Sequence, residues 1–188
     1  MNVQCCEIEG LKIIQPKVFH DSRGYFFESY SERNFKDITN LSEFVQDNES
    51  KSTAGVARGL HFQIPPYAQA KLVRCVQGAV LDIALDIRKG SPTYGKFKAV
   101  KLTAEEHNEF YIPRGFAHGF IVLTEEAVFQ YKCDNYYAPG YEGGINILDK
   151  SIGLDLESYY ENFILSDKDM RNPNLADFDS PFILGVNC

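Results

Sequence analysis

With 188 residues, 44% of them hydrophobic, the chain is long enough for one domain around a full core and too short for two comfortable ones. Charged residues make up 24%, which set against that apolar content excludes a disordered chain. The formal net charge of -7 argues against nucleic acid or an anionic membrane as partner, because both call for a basic face; a small anionic ligand needs only a local pocket of Arg and Lys.

In chain order the sequence reads as short β segments divided by turn signals. Strands are expected at residues 11–14, 24–30, 44–47, 71–77, 80–88, 97–102, 109–112, 119–123 and 128–133. In the segment 80–88, Leu81, Ile83, Leu85 and Ile87 alternate with Asp82, Ala84, Asp86 and Arg88, a period of two that marks a strand. Gly78 separates it from the run 71–77, which suggests a hairpin. Helix is scarce: one short helix at 31–37 capped by Ser31, and a turn or two at 158–162 and 167–170. Many short strands with few helices predict an antiparallel sandwich or barrel, and a barrel-like roll offers an interior site for a small molecule.

The five cysteines are Cys5, Cys6, Cys75, Cys133 and Cys188. Their number is odd and none has CxxC spacing, so a reducing, cytoplasmic compartment is expected. The start of the chain lacks the pattern of a signal peptide, and no apolar run reaches the length of a membrane span.

Four histidines are candidates for chemistry. His20 and His107 lie in polar turn contexts beside Asp21 and Glu106 and read as structural. His61 sits in Arg58-Gly59-Leu60-His61-Phe62-Gln63. On a regular strand Arg58 and His61 face opposite ways, unless Gly59 bends the strand and lets both reach one pocket. His118 lies in Ile112-Pro113-Arg114-Gly115-Phe116-Ala117-His118-Gly119-Phe120, a turn entering an apolar strand. A metal site in a β barrel of this size usually needs two ligands close together on one strand, such as His-x-His. Position 63 is Gln, so that pair is missing and no metal is expected. On a strand Tyr131 reads as an amphipathic core residue, and Tyr136 and Tyr137 lie beyond it, where a ring could stack on a flat base.

Several strings, taken together and in order, closely resemble the dTDP-4-dehydrorhamnose 3,5-epimerase family of cupin-like jelly rolls. They are Asp21-Ser22-Arg23-Gly24-Tyr25-Phe26, Phe44-Val45-Gln46-Asp47-Asn48, Arg58 to Gln63, Lys71-Leu72-Val73-Arg74, Asp86-Ile87-Arg88-Lys89, Ile112 to Phe120, Tyr131-Lys132-Cys133-Asp134-Asn135-Tyr136-Tyr137 and Leu165-Ser166-Asp167-Lys168-Asp169. The likeness runs from about residue 10 to 169. It departs from the family at Gly153-Leu154-Asp155-Leu156, which lacks the usual Trp, and at Ala57, where a larger residue is usual.

The resemblance implies a mainly β, antiparallel jelly-roll (cupin-like) barrel with a few short helices, and one epimerase domain over 1–188. It implies His61 as general base, Tyr131 as general acid, Asp169 as the carboxylate paired with the base, and Lys71 beside the keto oxygen. Arg23, Glu28, Gln46, Asn48, Arg58, His118, Glu142 and Lys168 match ligand-binding positions, and Tyr137 the residue that stacks on thymine. The implied substrate is dTDP-4-keto-6-deoxy-D-glucose, inverted at C3 and C5. A relative inverting one carbon only, and a non-catalytic sugar-nucleotide-binding module, are the alternatives. The family is a homodimer whose nucleotide site borrows residues from its partner, so Arg23 and Glu28 are expected to act in trans.

The implied chemistry is coherent. Protons on C3 and C5 are α to the C4 ketone, so removing either gives an enolate and calls for no cofactor. An imidazole, with a reference pKa near 6.5, suits a base at neutral pH, and a phenol near 10 stays protonated as an acid. A carboxylate on the other imidazole nitrogen fixes the tautomer. A lysine supplies charge where the enolate oxygen develops.

Overall fold

Period-two patterning dictates sheet, and the computed structural model, which describes residues 1–39 and 43–186, contains two facing antiparallel sheets. One has the order β1 (Asn2–Cys5), β2 (Lys12–Gln15), β10 (Glu109–Ile112), β7 (Lys71–Gln77), β12 (Glu126–Cys133) and β5 (Gln46–Thr53). The other runs β13 (Glu142–Gly144), β6 (Ala57–Gln63), β11 (Phe116–Val122), β8 (Ala79–Asp86) and β9 (Phe97–Thr103). A separate hairpin pairs β3 (Phe19–Asp21) with β4 (Gly24–Phe26), and α1 spans Glu32–Thr39. The architecture is an antiparallel jelly roll, as the strand spacing and the family resemblance led one to expect.

The hairpin expected at Gly78 does not form. β7 and β8 belong to different sheets, and Gly78 (φ +73°) turns the corner between them. A Cβ there would lie 2.2 Å from the Glu126 carbonyl oxygen, so only glycine lets the chain cross at this point.

The core has three parts. Val73, Cys75, Val80, Leu102, Phe110, Phe120 and Phe129 fill the space between the sheets. Leu60, Ile83, Leu85, Ile87 and Ile121 pack on the outer face of the five-stranded sheet, where Ile145, Ile152, Leu156 and Phe182 of the C-terminal segment cover them. Phe35 of α1 meets Ile14, Leu72 and Tyr111 outside the other sheet. Each such large side chain contributes about 1.5–3 kcal/mol on burial. β8 is therefore buried on both faces. Its alternation separates two buried environments: Leu81, Ile83 and Leu85 face the C-terminal cover, while Val80 and Ala84 face the other sheet.

Smaller expectations need correction. Residues 158–162 form no helix, and 167–170 becomes a 3-10 turn at Asp169–Arg171. The strand expected at 24–30 stops at Phe26, and the one expected at 119 begins at Phe116. β1, β3 and β13, of three or four residues, are too short to show a period. Cys188 lies outside the described residues. Among the described residues no helix is long and apolar enough to cross a membrane.

Candidate active site

β6 is bent where its glycine stands. Gly59 has φ +115°, and a Cβ on it would sit 2.7 Å from the Gly119 Cα of β11. The pairing of β6 with β11 shifts register between His118 and Phe120 at the same place. This bulge brings Arg58 and His61 to the same side of the strand. Arg58 Nε crosses between the sheets to donate to Ser52 Oγ of β5 (2.9 Å), and its charge acts on Tyr131.

His61 is half-buried, and its Nε2 is hydrogen-bonded to Asp169 Oδ1. Asp169 arrives on the 3-10 turn beyond Ser166, to whose Oγ it donates its backbone N–H (3.1 Å). Burial alone would raise its pKa, but hydrogen bonds from His61, Ser166 and the Gly59 backbone hold it below the usual carboxylate range.

The six-stranded sheet supplies the facing wall. Lys71 Nζ lies 5.6 Å from the centre of the Tyr131 ring. Burial holds the Lys71 ammonium below the ordinary lysine range, with Cys133 and Asp82 acting in the opposite direction when ionised. Burial also pushes the Tyr131 phenol up, so it stays protonated at neutral pH.

A cavity of about 200 Å³ joins these groups. Its lining includes His61, Lys71, Tyr131, Gln46, Asn48, Tyr137, Glu142 and Lys168, together with Gln63 and Gln69. Glu142 and Lys168 form an ion pair on the lining (2.9 Å).

The remaining expected residues stand elsewhere. Asp169 holds His61, and Arg58 sits beside Tyr131, neither lining the cavity. His118, the strand partner of His61, is buried and bonded through Nε2 to Asp82 Oδ2 (2.9 Å). Arg23 is on the exposed β3–β4 hairpin, paired with Asp21 (2.6 Å). Glu28 accepts from Asn34 Nδ2 (2.8 Å) and is also absent from the lining. Among the described residues no group of three His, Cys, Asp or Glu is placed to hold a metal.

The sequence reading missed Asp82. It is wholly buried, and its Oδ1 has no hydrogen-bond partner among the described residues. Burial raises its pKa and lowers that of His118, while the pairing of the two, with Lys71 acting on Asp82, works against the rise at the aspartate. The available signal was an aspartate in the middle of the apolar run 79–85, a placement that costs free energy unless it is used. Gln63, considered only for not being His, hydrogen-bonds three backbone groups.

The model of the dTDP-4-dehydrorhamnose 3,5-epimerase family matches residues 5–177. A dTDP-4-dehydrorhamnose 3,5-epimerase of Shigella flexneri is 52% identical over 180 residues, covering 95% of this chain and 98% of that protein. The crystal structure of dTDP-4-dehydrorhamnose 3,5-epimerase from Elizabethkingia anophelis is similar with a TM-score of 0.90 and 47% identity, over 96% of this chain and 99% of the other. That of a 3,5-epimerase from Legionella pneumophila in complex with dTDP-4-keto-L-rhamnose also has a TM-score of 0.90, with 44% identity over 95% and 94% of the two chains. Sequence and fold agree over nearly the whole length, and the chain belongs to the dTDP-4-dehydrorhamnose 3,5-epimerase family.

Proposed function

We propose that the protein inverts C3 and C5 of dTDP-4-keto-6-deoxy-D-glucose to give dTDP-4-keto-L-rhamnose, with His61 as base and Tyr131 as acid. One observation carries this reading: His61 and Tyr131 line the same cavity from opposite sheets, so a sugar ring between them meets a proton acceptor on one face and a donor on the other. His61 takes the proton from the carbon next to the ketone. Asp169 stabilises the imidazolium that forms. Lys71 neutralises the enolate oxygen, and Tyr131 delivers a proton to the opposite face. Gln46, Asn48, Glu142 and Lys168 bind the nucleotide sugar, with Arg58 and His118 supporting the walls, and Tyr137 stacks on the base. The four described cysteines are unpaired, which fits a cytoplasmic protein.

Turnover in deuterated water tests the reaction. Label is expected at both C3 and C5; none at either carbon refutes the proposal. His61→Ala should reduce C–H exchange by at least about 10³-fold, within the range for a general base. Tyr131→Phe should damage net inversion and leave exchange in place, and full epimerase activity in that variant rejects the acid assignment.

The working unit is read as a homodimer with Arg23 and Glu28 acting on the partner's site. Support comes from their position outside their own cavity and from the exposed Phe19, Tyr25 and Phe26 on the same hairpin. Mixing inactive Arg23→Ala with inactive His61→Ala should restore activity, because one mixed site has both residues intact. If both act within one chain, mixing restores nothing.

A further inference from the structure

Gln63 ends β6, two residues beyond His61, and is only 5% exposed. A buried side-chain amide must satisfy two N–H donors and an acceptor oxygen. Although Gln63 borders the cavity, its amide is occupied entirely by loop backbone. Its Nε2 donates to the carbonyls of Tyr67 (2.8 Å) and Tyr136 (3.1 Å), and its Oε1 accepts from the Ala138 N–H (2.8 Å). The Tyr137 N–H between them donates to Gln46 Oε1 (2.9 Å). Two glutamines from facing sheets thus hold three of the four polar groups in the peptide units flanking Tyr137. No strand or helix includes this loop, so these bonds set the backbone on which the half-exposed Tyr137 ring stands.

We propose that Gln63 is a positioning residue that presents Tyr137 to the nucleotide base, so that binding of the dTDP moiety depends on it while proton transfer does not. The inference rests on the reading of Tyr137 as the base-stacking residue. A loop held in its bound form loses less freedom when ligand arrives. Without Gln63 the loop samples other conformations and only a fraction is competent to bind, which weakens apparent affinity by that fraction.

The experiment measures dTDP affinity by titration calorimetry, with kcat, KM and C–H exchange, for Gln63→Leu, Gln63→Glu and Tyr137→Ala. Gln63→Leu should raise Kd for dTDP and KM roughly tenfold, the scale of one lost buried hydrogen-bonding group, with kcat and exchange at saturation within about twofold. Gln63→Glu sets a carboxylate against two carbonyl oxygens. Relative to the unmodified protein, its dTDP affinity should recover as pH falls and the acid gains a proton to donate, whereas Gln63→Leu shows no such recovery. That pH signature carries the test if the leucine variant does not fold. If Tyr137→Ala weakens dTDP binding and both Gln63 variants bind like the unmodified protein, the proposal is overturned. Equal losses in binding and exchange also overturn it, since they mark a general structural role. If Tyr137→Ala binds dTDP normally, the stacking assignment fails instead.

Discussion

His61 and His118 are partners across β6 and β11, and each is bonded to a carboxylate, yet the two pairs sit in opposite surroundings. The His61 side chain is 39% exposed toward the cavity. Asp169 behind it accepts several hydrogen bonds and stays ionised. The His118 side chain is 7% exposed and Asp82 not at all, and burial pushes both away from charge. The same two residue types are therefore prepared for different tasks. An imidazole that must accept a proton during turnover needs an anion that remains an anion and a face open to substrate. The sealed pair is closed off from the cavity, and Asp82, when ionised, acts to raise the pKa of Lys71.

The comparison can be broken by altering each carboxylate. Asp169→Asn should lower kcat/KM by about 10²-fold, because the imidazole loses its tautomer lock and its counter-charge. A loss under threefold, in steady-state assays on folded protein, removes Asp169 from the mechanism. Asp82→Asn should change kcat at pH 7 less than tenfold, yet move the alkaline limb of kcat/KM to lower pH, because an ionised Asp82 lifts Lys71 and an amide does not. An unmoved limb separates Asp82 from the lysine.

The smallest effect concerns a buried acid on the other sheet. Glu109 is 1% exposed, and burial raises its pKa to about 8 against the charges of Arg74 and Lys132. Its folded value lies above the unfolded one, so folding favours the protonated acid. The resulting penalty on stability grows as pH rises from about 4.3, the unfolded value, to about 8. Glu109→Gln should raise the melting temperature at pH 8, by about 2–4 °C per kcal/mol relieved, with the gain fading toward pH 4.5. A gain that is the same at both pH values rejects this account.

How much of this was legible before the structure depends on the residue. The β class was plain from alternation, and Gly59 announced the bulge that lets Arg58 and His61 share a side. Gly78 gave a misleading signal, since a glycine between two strand patterns marks a hairpin or a corner between sheets equally well. The alternation in β8 was real, but both faces are buried, because the C-terminal segment supplies a second apolar cover that no local pattern reveals. Lys71, Tyr131 and Asp169 were named by family resemblance alone. Their convergence comes from sheet pairing and from a contact between residues 108 apart, which period and composition do not encode. Asp82 and Gln63 were missed because a lone buried polar residue declares its use only through its partners.

The route by which Asp169 reaches His61 has a consequence for the making of the protein. Asp169, the partner of His61, arrives 108 positions after it, on a segment whose later part, through Phe182, also seals the outer face of the five-stranded sheet. At synthesis rates of about 5–20 residues per second, His61 leaves the ribosome roughly 5–20 seconds before its partner. A nascent chain, or one clipped before residue 169, holds the histidine without its carboxylate partner. Completion of the His61–Asp169 pair and closure of the core are thus tied to the same late stretch of chain.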